Sequence, residues 1–264
     1  MSEHLVAKGA VLTVHTAAAL GLTALVHALL DEDPALLKAP GGDGARPLHF
    51  AHTVNVAEVL IERGAKPDAR EEEHRSTPAQ WHIKASPDVT RLLLQQGAEP
   101  DVFLVAGLDD LDLTQGASSR YRQRHLPDRQ QLSPFPGIGF EGSGGTILQW
   151  QLGFKLSPQE VAIERAYRDV YALLMQTPPP RSKLQIACML DNRKLAMSLV
   201  ASHPKAVDDF DDEELTLLAR ACWETNNDTE AIRLMLDCGF PLGIPEKNHG
   251  YKPLHNAAWS GMPL

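Results

Sequence analysis

Three cysteines, eleven histidines and a cluster of glycines are the residues of this chain whose types could carry chemistry. Gly137, Gly139 and Gly142 spell GxGxxG, a spacing that cradles a pyrophosphate on backbone N–H groups when a strand precedes it and a helix follows. Here Pro134 and Pro136 come before the glycines and TILQW comes after, so no phosphate site is expected. His49 and His52 stand three apart, which on a helix places two imidazoles on one face. No Glu or Cys completes a zinc set around them and HExxH is absent, so no metal is expected. Cys188, Cys222 and Cys238 form no CxxC pair, and no His or basic cluster at helical spacing would make any of them a thiolate. They read as small buried apolar residues.

Other catalytic patterns fail in the same way. Ser143 lies in GSGG without the glycine two positions earlier that a nucleophile elbow needs. Val161-Ala162-Ile163 is followed by Glu164 where a kinase needs lysine, and neither HRD nor DFG occurs. The acids from Asp208 to Glu214 lack the glycine and the spaced oxygen ligands of a calcium loop. They read as first-turn acids of the next helix with the remainder in water, and Glu71 to Glu73 read likewise. The expectation is a chain without catalytic residues, metal or cofactor, and therefore not an enzyme.

The elements around these residues must come from a core rich in Ala and Leu. Of 264 residues 43% are hydrophobic and only 6% aromatic, which favours helices packed closely together. The formal charge of −9 opposes binding to nucleic acid or to an anionic membrane surface. The first thirty positions are broken by Glu3, His4 and Lys8 and hold no signal peptide or membrane span. An odd number of cysteines without a pairing pattern points to a reducing, cytoplasmic setting.

Internal repeats organise the chain. His249 to Gly261, HGYKPLHNAAWSG, holds a turn glycine (Gly250), a proline that starts a helix (Pro253), a histidine placed to bond loop backbone (His255) and a small pair. Asp43 to Ala51, DGARPLHFA, repeats it and runs into VAEVLIERGAKPDAR, where Gly64 caps a second helix. Further copies span His15 to Leu30, Thr77 to the LLLQQGAEPD segment, Ser157 to Leu174, Leu184 to Val200 and Leu218 to Leu236, with a degenerate one at Phe103 to Leu113. Ala166 stands where glycine is usual. The small pairs, such as Ala187-Cys188 and Ala221-Cys222, let a sandwiched helix approach its neighbours. These motifs resemble the ankyrin repeat over roughly three quarters of the chain. The resemblance implies an all-α solenoid of stacked helix-turn-helix units, with reduced hairpin fingers because several copies fall short of the usual length of about 33 residues.

Residues 1–115 are expected to form one run of repeats and 157–264 a second, whose last repeat is truncated. Both ends of the chain fall inside a repeat, so it reads as a piece of a longer stack. Between the runs lies an irregular Gly/Pro-rich insertion or linker, 116–156, holding the basic cluster Arg120, Arg122 and Arg124. Phe135, Phe140, Trp150 and Phe154 are expected to pack it against the stack. The alternative is a binding lip whose arginines meet an acidic partner.

What the resemblance implies for function is a monomeric, non-catalytic scaffold that binds a protein on its concave face. The two positions after each small pair lie on that face: Trp259 and Ser260, Trp223 and Glu224, Met189 and Leu190, Ala19 and Leu20. Trp223 and Trp259 would form adjacent apolar patches, and tryptophan is enriched at binding hot spots. The competing reading is a regulatory or enzymatic protein whose active part is the 116–156 insertion, with His125, Asp128 and Glu141 as its titratable groups, or lies outside this chain.

Overall fold

A computed structural model describes residues 8–9, 11–113, 145–152, 158–176, 178–212, 214–224, 229–246 and 249–261. Among them every regular element is a helix or a 3-10 turn and no strand occurs, so the described fold is all-α. No helix among the described residues is long and apolar enough to cross a membrane. The chain separates into two compact units, with the division between Tyr171 and Ala172.

The first unit holds α1 (Val14–Ala19), α2 (Thr23–Glu32), a 3-10 turn (Pro47–Phe50), α3 (Val54–Glu62), α4 (Pro78–His82), α5 (Pro87–Gln95), α6 (Val102–Ala106), α7 (Gly145–Leu152) and α8 (Pro158–Glu164). The division falls within α9 (Arg168–Leu174). The second unit holds α10 (Pro180–Met189), α11 (Arg193–Ser202), α12 (Leu217–Glu224), α13 (Thr229–Asp237) and α14 (Pro253–Trp259).

Four of these elements open by one device. A helix start leaves backbone N–H groups without partners, and a side chain three residues beyond the cap can reach back to the cap's own N–H. Arg46 N donates to His49 Nδ1 at 3.1 Å, and Lys252 N to His255 Nδ1 at 3.4 Å. The two PLH histidines thus bond loop backbone as expected. Thr13 N donates to Thr16 Oγ1 at 2.7 Å and Thr77 N to Gln80 Oε1 at 2.9 Å, so threonine and glutamine do the same work where no PLH can be read.

The turns inside the helix pairs also recur. Leu22 N donates to Ala17 O at 2.9 Å, Tyr167 N to Ala162 O at 2.8 Å and Asn192 N to Ala187 O at 2.8 Å, each closing the preceding helix across one left-handed residue. That residue is Gly21 (φ +70°), Ala166 (φ +60°) or Asp191 (φ +48°). Ala166 takes on the conformation that glycine adopts most easily.

Packing in the first unit follows two rows. α1, the 47–50 turn and α4 adjoin one another, while α2, α3 and α5 form the second row. One apolar core runs through them from Val14 to Leu148. The small pairs Ala17-Ala18, Ala187-Cys188 and Ala221-Cys222 are buried, as close helix approach requires. Ala257 and Ala258 differ, being half-buried and exposed on α14, whose main packing neighbour is α12.

Several local expectations are corrected. The copy at 43–51 forms only 3-10 turns, at Gly42–Gly44 and Pro47–Phe50, because Thr53 already caps α3 by accepting from Val56 N at 3.4 Å. His49 and His52 therefore do not share a helix. Part of the stretch read as irregular, 145–152, is helical: after Gly145 the run TILQWQL contains neither proline nor glycine. Trp150 on this helix is 52% exposed, since Ile147 and Leu148 occupy the buried side; its ring meets His74 edge-on at 5.1 Å. Phe135, Phe140 and Phe154 lie outside the described residues. Glu71 is fully buried rather than solvated. Its carboxylate accepts N–H bonds from His74 and Ser76 at 2.8 Å each and the Ser76 hydroxyl at 2.7 Å, and these bonds outweigh desolvation and hold its pKa below the usual value. Glu72 and Glu73 are exposed as expected.

Candidate interaction site

Two helices of the second unit position the only tryptophans of that unit. α12 buries Leu217, Leu218, Ala219, Ala221 and Cys222, which leaves Trp223 facing outward. α14 starts at Pro253 and buries Pro253 and Asn256 against α12, which turns Trp259 outward in the same way. The Asn256 side-chain amide, 2% exposed, donates to Ala219 O at 2.8 Å. Ala219 lies one turn before Trp223 and Asn256 nearly one turn before Trp259, so this buried bond sets the register that brings the indoles together.

The rings stack with centroids 6.4 Å apart and planes 25° from parallel. Trp223 is 48% exposed and Trp259 75%, so the pair covers part of its own surface and presents the rest to solvent. The aromatic surface continues along α14 and the turn before it. Tyr251 lies 6.3 Å from the His255 ring and stacks on His249 at 5.8 Å. His255 and Trp259, four residues apart, lie along one side of α14, and Tyr251 precedes its cap. Leu254 is exposed nearby in sequence. Glu246 anchors the turn by accepting from His249 N at 2.6 Å and Tyr251 N at 3.4 Å.

The other expected site residues are placed unevenly. Ser260 caps α14, its N–H donating to Asn256 O at 2.9 Å, and is half-buried. Met189 and Leu190 end α10 and are half-buried, so they present less apolar surface than the tryptophans. Glu224 closes α12, and its side chain lies outside the described structure. Ala19 and Leu20 are exposed at the end of α1, in the first unit. Arg120, Arg122 and Arg124 lie outside the described residues, as do the GxGxxG glycines, Ser143, His125, Asp128 and Glu141. Among the described residues no group of three or more His, Cys, Asp or Glu is placed to hold a metal ion.

Sequence reasoning missed Asn256, Tyr251 and Glu246. The step of four through Tyr251, His255 and Trp259 was a visible signal. A further one is the spacing Glu-x-x-His followed four residues later by Pro, shared by Glu71-His74-Pro78 and Glu246-His249-Pro253. In both, the carboxylate binds the backbone N–H groups three and five residues on. No protein-family model and no curated protein matches the chain.

Proposed function

We propose that this chain is an ankyrin-repeat protein and that it acts without catalysis, by binding a partner protein on the surface of its second unit that carries Trp223 and Trp259. The observation behind this reading is the stacked, solvent-facing indole pair, held in register by a buried hydrogen bond. Large exposed aromatic surface is costly in water and is enriched where proteins meet. The repeated capping and turn geometry supports the repeat assignment, because successive helix pairs open and close by the same bonds. The negative net charge favours a partner with basic or apolar surface over nucleic acid.

The test compares the full chain with a Trp223→Ala, Trp259→Ala variant whose folding is confirmed by circular dichroism. A partner isolated with the wild type should protect α12 and α14 from hydrogen exchange and lose at least tenfold in affinity for the variant. Protection confined to other helices, or equal affinity for both proteins, would remove this surface from consideration.

A further inference from the structure

We propose that Cys188 and Cys238 form an oxidisable dithiol that closes to a disulfide within the folded chain on exposure to hydrogen peroxide. The two sulfurs lie 3.9 Å apart, on α10 and just beyond the end of α13, and are 50 residues apart in sequence. These elements pack directly on one another, so the two sulfurs meet across a helix interface and have to close from 3.9 Å to a bond of about 2.05 Å. Burial as small core residues accounts for each cysteine alone. It does not require that two of the three meet across a helix interface.

The neighbourhood divides the roles. Cys188 lies in the middle of the unit's packing with no exposed surface, whereas Cys238 is 5% exposed and follows the last residue of α13. The Cys188 thiol donates to Cys238 Sγ, which lowers the Cys238 pKa against the opposing effects of burial and of the Asp237 carboxylate, the latter paired with Arg193 at 2.7 Å. Cys238 is therefore the attacking sulfur and Cys188 the resolving one. The Cys238 thiolate displaces hydroxide from peroxide, forming an S–O bond as the O–O bond breaks. The Cys188 sulfur then attacks Cys238, forming the S–S bond and releasing the second hydroxide. The two thiol protons convert both hydroxides to water, and the two electrons lost by sulfur reduce one peroxide. In a reducing compartment the bond would be transient and would report an oxidative episode.

Peroxide treatment of the folded chain, followed by alkylation, denaturation and peptide mapping, decides the matter. The expected result is a fall from three alkylatable thiols to one, with the mass of two hydrogens lost and one cross-linked peptide pair joining Cys188 to Cys238. A Cys222→Ala variant should give the same link, and dithiothreitol should restore the thiols. The melting temperature of the oxidised chain should rise, because the bond closes a long loop. Three thiols remaining, a bridge to Cys222, a sulfinic acid on Cys238 with Cys188 alkylated, or the same link formed equally fast in guanidinium would each overturn the proposal.

Discussion

Aromatic rings line up across neighbouring helical elements in both units, with opposite consequences. In the first unit His15, Phe50 and Trp81 follow one another at 5.4 and 5.8 Å, on α1, the 47–50 turn and α4. All three are half-buried, and the Trp81 indole N–H donates to Ser76 Oγ at 2.6 Å. That row is tied into a polar lattice: Ser76 also feeds Glu71, and Ser76 O accepts from His49 Nε2 at 3.4 Å. In the second unit Trp223 and Trp259 stack in the open beside an apolar core of leucines, alanines and the three cysteines. Rings bonded into a lattice tie their elements together, and rings left facing water form the surface proposed to meet a partner. For the tryptophan that both rows contain, the difference lies in the polar groups around the ring: Trp81 donates to Ser76, whereas Trp223 and Trp259 stack on each other.

Acid should separate the units most strongly. Burial pushes the pKa values of His49 and His82 down to about 4, against backbone hydrogen bonds that raise them. His82 Nε2 bonds Leu48 O at 3.1 Å, and protonating His49 at Nδ1 would set a new donor against Arg46 N–H. Between pH 6.5 and 4 the unfolded chain binds these protons and the folded one does not, so stability falls as pH falls through that window. The loss is at most about 3 kcal/mol per histidine. Glu71, whose pKa is lowered from 4.5, keeps its full contribution above pH 4.5 and loses it as the pH falls further through its lowered folded value. Hydrogen exchange at pH 7 and 4.5 should show helices α1 to α5 losing protection well before α10 to α14. Equal loss in both units would break the comparison.

The paired carboxylates sharpen it next. Glu71→Ala leaves two buried N–H groups and a hydroxyl without their acceptor and should cost about 3 kcal/mol. Glu246→Ala removes two N–H bonds at a turn near the surface and should cost about 1 kcal/mol. Urea denaturation of the two variants checks the ratio, and a reversed order would show that the lattice is not what stabilises the first unit.

Asn256→Ala comes third. Removing one buried amide bond to Ala219 O should cost about 1 kcal/mol and loosen the register of α12 and α14. Tryptophan emission should shift as the stack of Trp223 and Trp259 opens, whereas Glu71→Ala should leave that part of the spectrum unchanged.

Helix starts and stops were legible because proline, threonine and the left-handed turn act within a few residues. The buried Glu71 was not. A carboxylate within EEEH reads as solvated, and only a fold that turns five backbone positions around it supplies the donors. The site was half legible for a related reason. Repeat alignment places Trp223 and Trp259 at matching positions, but Asn256, which holds them there, acts on a carbonyl 37 residues away and leaves no local periodicity. The sulfur contact is of the same kind, since small-residue spacing explains why each cysteine is buried and is silent on which two meet.

The smallest expected effect bears on the turns that both units share. Ala166 sits at φ +60° where the equivalent turn in the first pair uses Gly21 at φ +70°. An alanine in this region costs about 1 to 2 kcal/mol through the clash of its Cβ with the following carbonyl. Glycine removes that clash but adds freedom to the unfolded chain, which returns part of the gain. Ala166→Gly should therefore stabilise the chain by about 0.5 to 1 kcal/mol, raising the melting temperature by a few degrees. Asp191→Gly, at the matching turn of the second unit, should gain less, because short polar side chains tolerate the left-handed region better than alanine does. A loss of stability in Ala166→Gly would mean that its methyl group packs usefully and that the two turns, alike in backbone, differ in what they touch.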